Sequence, residues 1–550
     1  MSNLIVKNGV VFDPINNISG EKKDILIENG KIVEDFKKVS ANDVKNIDAS
    51  GKTVIPGAID IHAHIASQQV NNVRMLGLGS SEFSQLWHGL TLEHLAREYI
   101  VKGYTFIVEA NVFPSLAKQT LFNFSHIPIL DKAMLINASN LWPLELEYQK
   151  GNIRNSTIFL SDLLGMLKGF GLKIYNPFEG EEWNFKELRD DISKSGRLYN
   201  FNALEVYKNI TKINESLGLP HSIHAHIDGY ESGIGKSNAI RILEEIKNLG
   251  IEPNQQNSSK RKRSQVFHLA HASAYGFDEC EGLINFFNSN DKFDLDVGFM
   301  SFNKISPLIT SDRRLSSQVS FPMIRGAIES EGDHFETLRI FNKNNLSHCY
   351  LWSNALSLAL GIKDKWKVQF SINFPNYAHL QDIPKIIEWL LNKERRDEFV
   401  QNSESEHLMS DSILNSEDTL SLAELITITR ASPAKSLGLA DIKGNLGAGA
   451  DADINILNIN LQELDPTTQI NDISRAFSDI EIVIKNGTII KDGDKIKFAH
   501  EGSLFWSQGI IEDDDYEKTM NNKKDYYKKY SSIFYSSLKP NIERLRSIKI

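Results

Sequence analysis

Eight short apolar runs, each followed by helical periodicity, fill the middle of this chain and leave little choice of architecture. They are Val54–His64, Gly103–Ala110, Lys132–Ile136, Gly171–Tyr175, His221–His226, Gln265–Ala272, Phe293–Phe299 and Trp366–Asn373. Apolar runs that alternate with helices build βα units on a parallel sheet, and eight such units close into a TIM-like (β/α)8 barrel, an α/β fold. At the two ends the signature changes. Leu4-Ile5-Val6, Ile25-Leu26-Ile27 and Lys31-Ile32-Val33 lie around Asn8-Gly9 and Asn29-Gly30, and Ile454-Asn455-Ile456-Leu457, Ile482-Val483-Ile484 and Thr488-Ile489-Ile490 lie around Asn486-Gly487. Asn-Gly between apolar runs is a hairpin signal, so the ends are expected to meet in one small β-sandwich. The expected division is 1–53 and 441–500 for the sandwich, 54–440 for the barrel and 501–550 for a C-terminal tail. After the eighth run, Asp382–Lys393 and Leu420–Arg430 read as helices and the acidic stretch Gln401–Asp418 as a surface loop.

At 550 residues, 41% of them hydrophobic, the chain can bury a core of this size. Its 61 basic against 71 acidic residues give a net charge of -10, which offers no field for a polyanion, so nucleic acid is not an expected partner. The basic run Lys260-Arg261-Lys262-Arg263 follows Asn257-Ser258-Ser259 and reads as a solvated loop. Two cysteines, Cys280 and Cys349, form no disulfide framework or zinc knuckle and suit a reducing compartment. With neither a leader pattern nor an apolar run of ~20 residues, a soluble cytoplasmic protein without membrane contact is expected.

The strongest chemical signal is Pro56-Gly57-Ala58-Ile59-Asp60-Ile61-His62-Ala63-His64. Strand residues two apart share a face, so both imidazoles can address one metal at the strand's C-terminal end. A lysine inside the fourth run, Lys173, is costly to bury unless paired or modified. The fifth run offers His224 and His226, the sixth His268 and His271, and the seventh Asp296. Each alone could be a satisfied core residue; together they converge at one barrel mouth, where such folds keep their sites.

These motifs resemble the amidohydrolase superfamily. His62-Ala63-His64 is similar to its metal motif, Lys173 to its carboxylated lysine, and His268-Leu269-Ala270-His271-Ala272-Ser273 to its sixth-strand histidine segment. The resemblance implies two zinc ions bridged by carboxylated Lys173 and held by His62, His64, His226 and His271. Further stretches narrow it to the family of A-type subunits of formylmethanofuran dehydrogenases and formyltransferase/hydrolase complexes. Among them are Val70-Asn71-Asn72-Val73-Arg74, Lys173-Ile174-Tyr175-Asn176-Pro177 and Gly218-Leu219-Pro220-His221-Ser222-Ile223-His224. That family implies hydrolysis, or formation, of an N-formylmethanofuran-type formamide within a multi-subunit complex. The Tyr- and Lys-rich tail from Glu512 either wraps its own domain or is an interface with the other subunits.

The eighth strand departs from the family pattern. Where an aspartate precedes Phe374-Pro375-Asn376 in that pattern, this chain has Asn373. An amide cannot take up the proton that the aspartate would shuttle. Asp228 and Asp296 are the residues that could substitute as base. The alternatives to an active formamide hydrolase are a cyclic-amide hydrolase of the dihydroorotase or hydantoinase type and a catalytically impaired barrel subunit.

Overall fold

The computed structural model describes residues 3–36, 44–67, 70–71, 91–139, 141–178, 181–182, 185, 191–198, 200–254, 263–302, 305–310, 315, 328–329, 335–403, 405–409, 417–498, 501–509, 511, 514–531, 533–541 and 545–550. Numbered in chain order, β1 (Asn3–Asp13), β2 (Ile18–Glu28), β3 (Lys31–Val33), β4 (Val44–Asp48) and β5 (Thr53–Pro56) come first. The barrel strands β6 (Ala58–Ala63), β7 (Tyr104–Val112), β8 (Asp131–Asn137), β9 (Gly171–Tyr175), β10 (Ile223–His226), β11 (Phe267–Leu269) and β12 (Phe293–Asp296) follow. A small antiparallel sheet of β13 (Ile305–Thr310), β14 (Ile328–Glu329) and β15 (Phe335–Ile340) precedes the eighth barrel strand, β16 (Val368–Gln369).

Neighbouring barrel strands pair in parallel from β6 round to β12 and then β16. The ring closes beyond β16, where Ala63 bridges Phe374 and the His64 N–H donates to the Phe374 carbonyl at 2.6 Å. All eight expected runs carry a barrel strand, most of them shorter than the apolar run. The run Val54–His64 differs: it is two strands, β5 in the terminal sheet and β6 in the barrel. Gly57 makes the crossing, since a Cβ there would lie 2.4 Å from Thr105 Oγ1.

The terminal sheet is built from both chain ends. β17 (Ile454–Leu457) pairs antiparallel with β5, and β18 (Ile482–Lys485), β19 (Thr488–Asp492) and β20 (Lys495–Ile496) extend it. Sheet and barrel are joined through a buried knot of charge. Lys443 Nζ lies 2.5 Å from Asp131 and 2.7 Å from Asp453, and Lys485 Nζ 2.6 and 3.0 Å from the same pair. Burial would raise the Asp131 carboxyl, but the two ammonium groups hold it well below the usual range.

Three sequence expectations are refined. Arg263 is buried, with Nη2 2.9 Å from Glu215, so the basic run ends in a structural ion pair; Lys260, Arg261 and Lys262 lie outside the described residues, as do Asn257, Ser258 and Ser259. The acidic stretch Gln401–Asp418 is entered by the helix Lys393–Ser403 and holds a short helix, Glu406–Met409, with 410–416 outside the described residues. The tail covers its own barrel. β21 (Leu504–Trp506) adds beside β8, and β22 (Ser547–Lys549) beside β21. The helix Tyr516–Tyr530 packs on Ile153–Leu167, with Lys523 Nζ 2.6 Å from Glu147 and Tyr535 Oη 2.7 Å from Asp162. Tyr530, Ile533 and Phe534 stay exposed at its outer edge. No helix among the described residues is long and apolar enough to cross a membrane.

Removing one partner from a buried ion network leaves an uncompensated charge. Lys443→Ala is therefore expected to cost about 3–5 kcal/mol, measured by denaturant unfolding.

Candidate metal centre

The inward-facing side chains at the C-terminal end of the barrel form two layers. The lower layer is closed on itself. His221 Nδ1 donates to the Ser436 carbonyl at 2.8 Å, His221 Nε2 meets His224 Nδ1 at 3.1 Å, and His224 Nε2 lies 3.0 Å from His62 Nδ1. His268 spans two carboxylates, Asp294 at 2.9 Å and Asp296 at 3.1 Å. Burial would depress His268, yet these two acids raise it to about 9, so it is an imidazolium at neutral pH. Ring nitrogens of His221, His224 and His268 do converge within 4.8 Å. The cation already lodged there disfavours a metal at that spot.

Asp296 joins the layers. It accepts from His62 Nδ1 at 3.1 Å, from His268, and from the Ser371 hydroxyl. Burial alone would raise it; the His62 and His268 contacts keep it well below the carboxylate range. It stands behind His62 and its oxygens are engaged, which does not suit a free base.

The upper layer is open in the chemical sense. His226 Nδ1 and His271 Nε2 face each other at 3.0 Å, while His226 Nε2, His271 Nδ1 and Lys173 Nζ are buried without a hydrogen-bond partner among the described residues. Two nitrogens at ~2.0 Å on one tetrahedral ion sit about 3.3 Å apart. The His62 and His271 ring centres are 5.0 Å apart, and those of His62 and His64 5.3 Å. Burial lowers Lys173 to about 7 and His62 to about 3, and pushes His226 and His271 well below the usual imidazole range. Metal ligands must be deprotonated, and this layer presents neutral imidazoles around an amine that is about half neutral at pH 7. Neutral imidazoles and a free amine are the kind of donor set that can hold metal.

Local backbone explains the aim of these rings. His271 lies past the end of β11 in a left-handed conformation, φ 34° and ψ 58°, which turns it back over the mouth. Gly298 makes room, because a Cβ there would lie 2.8 Å from His271 Cβ. Asn373, with φ 43°, donates to Tyr230 Oη at 3.4 Å and accepts from Asn376 at 3.3 Å. Tyr230 roofs the site, stacked on His226 at 4.9 Å and nearly parallel to Tyr377 at 6.2 Å. Tyr377 Oη donates to Glu231, which Arg339 on β15 grips with two bonds of 3.0 and 2.9 Å.

Asp228 Oδ2 accepts from Tyr207 Oη at 2.8 Å, on the outer helix Ala203–Leu217. Six groups had not been singled out in the sequence: Glu109, Asp294, Tyr230, Glu231, Arg339 and Tyr377. Glu109 had a usable signal, a lone acid in the apolar run Phe106-Ile107-Val108-Glu109-Ala110, and so did Asp294 within the seventh run.

The fold and the residues at the strand ends are similar to those of amidohydrolases. The family model described as the amidohydrolase family matches residues 352–491. Over nearly its whole length the chain is similar to proteins of the FwdA and FhcA type. It is 29% identical over 552 residues to Protein FwdA of Methanocaldococcus jannaschii, covering 96% of this chain and 95% of that protein. It is 24% identical over 506 residues to FhcA of the formyltransferase/hydrolase complex Fhc of Methylorubrum extorquens, covering 86% of each. Among solved structures, a chain of the FhcABCD complex from Methylorubrum extorquens, crystallised with methylofuran, superposes with a TM-score of 0.86 at 21% identity. That match covers 100% of this chain and 99% of the other.

His268 supplies a pH prediction. Its folded-state value, about 9, exceeds the ordinary ~6.5, so its stabilisation is complete below pH ~6.5 and is lost as pH rises through 9. Wild-type protein should lose unfolding free energy over that window, and His268→Gln should flatten the loss, as read by denaturant unfolding at stepped pH.

Proposed function

We propose that this chain hydrolyses, or forms in reverse, the C–N bond of a formamide carried on a methanofuran-type amine, as the barrel component of a multi-subunit one-carbon complex. The observation that carries this reading is the partnerless buried amine of Lys173 among neutral imidazoles. A lysine near its midpoint at pH 7 offers a free amine that adds carbon dioxide and loses a proton, giving a carbamate with two anionic oxygens. His62, His64, carboxylated Lys173, His226 and His271 would hold two zinc ions. Bound there, the pair supplies hydroxide at neutral pH and a Lewis acid for the formyl oxygen. The full-length similarity to FwdA and FhcA supports the substrate class and the complex.

In hydrolysis, water adds to the formyl carbon, the C–N bond breaks, and one proton must travel from the water to the departing nitrogen. Asn373 occupies the position for that transfer and cannot take up the proton. Its amide instead orients Tyr230 and is itself oriented by Asn376. This one residue favours a second reading, a barrel subunit that keeps metal but has lost turnover.

Zinc content and turnover test both readings. Lys173→Ala should lower bound zinc from about two per chain to one or none, whereas His224→Gln should cost stability more than metal. Wild-type protein that neither contains nor takes up zinc would end the metal reading. Asn373→Asp should raise formamide hydrolysis by roughly 10²–10⁴-fold, the usual contribution of a positioned acid-base group. High wild-type turnover that the aspartate leaves unchanged would mean that another group moves the proton. No turnover in either zinc-loaded protein would favour the impaired subunit.

A further inference from the structure

Glu109 has no task in the reading above, yet it is fully buried beside the site. It sits on β7, and its Oε2 accepts from three consecutive backbone N–H groups, Ile65 at 2.8 Å, Ala66 at 2.7 Å and Ser67 at 3.2 Å. Successive amides turned on one anion form a backbone nest. Here the nest is the segment that leaves β6 directly after His64. The other oxygen, Oε1, has no hydrogen-bond partner among the described residues, and His64 Nδ1 stands 3.5 Å from it. A carboxylate only accepts, so this contact is favourable when Nδ1 carries the imidazole proton. The second nitrogen is then bare, because a neutral imidazole holds one proton.

We infer that Glu109 is a positioning residue that holds His64 as the Nδ1–H tautomer, leaving Nε2 free to bind metal, and pins the following loop to β7. The inference rests on the metal-centre reading. It also makes Glu109 the counterpart of Asp296: each histidine of the His-x-His pair has a buried acid at Nδ1. Carboxylates placed this way fix ring orientation and raise ligand basicity, and losing one commonly costs 10–100-fold in metal affinity.

The tautomer can be read without any metal. In full-length, metal-free protein with ¹⁵N-labelled histidine, ring-nitrogen shifts assigned to His64 by their loss in His64→Gln should report Nδ1–H. Glu109→Gln separates support from packing. Its amide oxygen is needed by the three backbone N–H groups, so its NH₂ faces His64 Nδ1 and drives the proton to Nε2. The variant should fold, show the inverted tautomer, and bind Zn(II) about 10–100-fold more weakly in a competition titration. A wild-type His64 protonated at Nε2 overturns the inference, and this measurement needs no variant to fold. A Glu109→Gln protein with unchanged tautomer and Zn(II) affinity overturns it as well. Wild-type protein that takes up no Zn(II) defeats the metal-centre reading instead, and the tautomer measurement then decides the role of Glu109 alone.

Discussion

Asp296 sorts the interior histidines into two populations. On one side its negative charge, with that of Asp294, keeps His268 a cation at neutral pH and completes a closed hydrogen-bonded layer deep in the barrel. On the other side it meets His62 Nδ1, so that ring's second nitrogen is not the one it engages. Burial of so many titratable groups would be ruinous if they were charged without partners. The barrel avoids this by pairing charge below and keeping the rings above neutral. The division falls within single strands: β10 sends His224 down and His226 up, two residues apart on one face.

The position of that mouth depends on how the ring closes. β16 is two residues long, and the last link is made past its end, by Ala63 and His64 against Phe374. The same link brings Asn373 beside the His-x-His pair. The β13–β15 sheet reaches Glu231 through Arg339, so a segment between the seventh and eighth strands braces the tyrosine roof over His226. Arg339 is buried and donates two hydrogen bonds to one carboxylate, a geometry that arginine forms and lysine does not.

The architecture was legible because parallel barrel strands are buried on both faces and read as continuous apolar runs. For the same reason the reading overran strand ends, since apolar residues continue into the turns at the mouth. The break at Gly57 was hidden, because β5 and β6 are equally buried in two different sheets. Of the site, the residues visible were those whose spacing or isolation is itself unusual: His62 with His64, Lys173, and the histidine pairs of the fifth and sixth runs. Spacing alone left His224 against His226 open. The structure separates them by hydrogen bonding, as His224 engages both ring nitrogens below and His226 only one. Tyr230, Glu231 and Arg339 were not legible, because their roles depend on contacts between segments far apart in the chain. The sequence left open whether the tail wraps its own barrel or docks on another subunit. Its inner tyrosines and Lys523 bind the barrel's own helices, while Tyr530, Ile533 and Phe534 stay exposed.

Asn373 changes two properties of the proposed centre, and the structure offsets only one. An amide in place of a carboxylate leaves the site with one negative charge fewer, and a pair of dications needs anions nearby. Asp296 behind His62 and Glu109 behind His64 supply negative charge one ring away, where it strengthens each imidazole as a donor. That charge is fixed: Asp296 is held by His62, His268 and Ser371, and Glu109 by the backbone nest. Neither carboxylate can leave its partners to accept and release a proton at the reacting carbon. Tyr230, whose ring stacks on His226, is pushed well above the ordinary phenol range by burial and then by the charge of Glu231, so it can donate a hydrogen bond but makes a poor base at neutral pH. In the proposed centre, metal binding and proton transfer would thus be separable: the candidate ligands are present, while Asn373 stands where the family pattern has the proton-carrying aspartate.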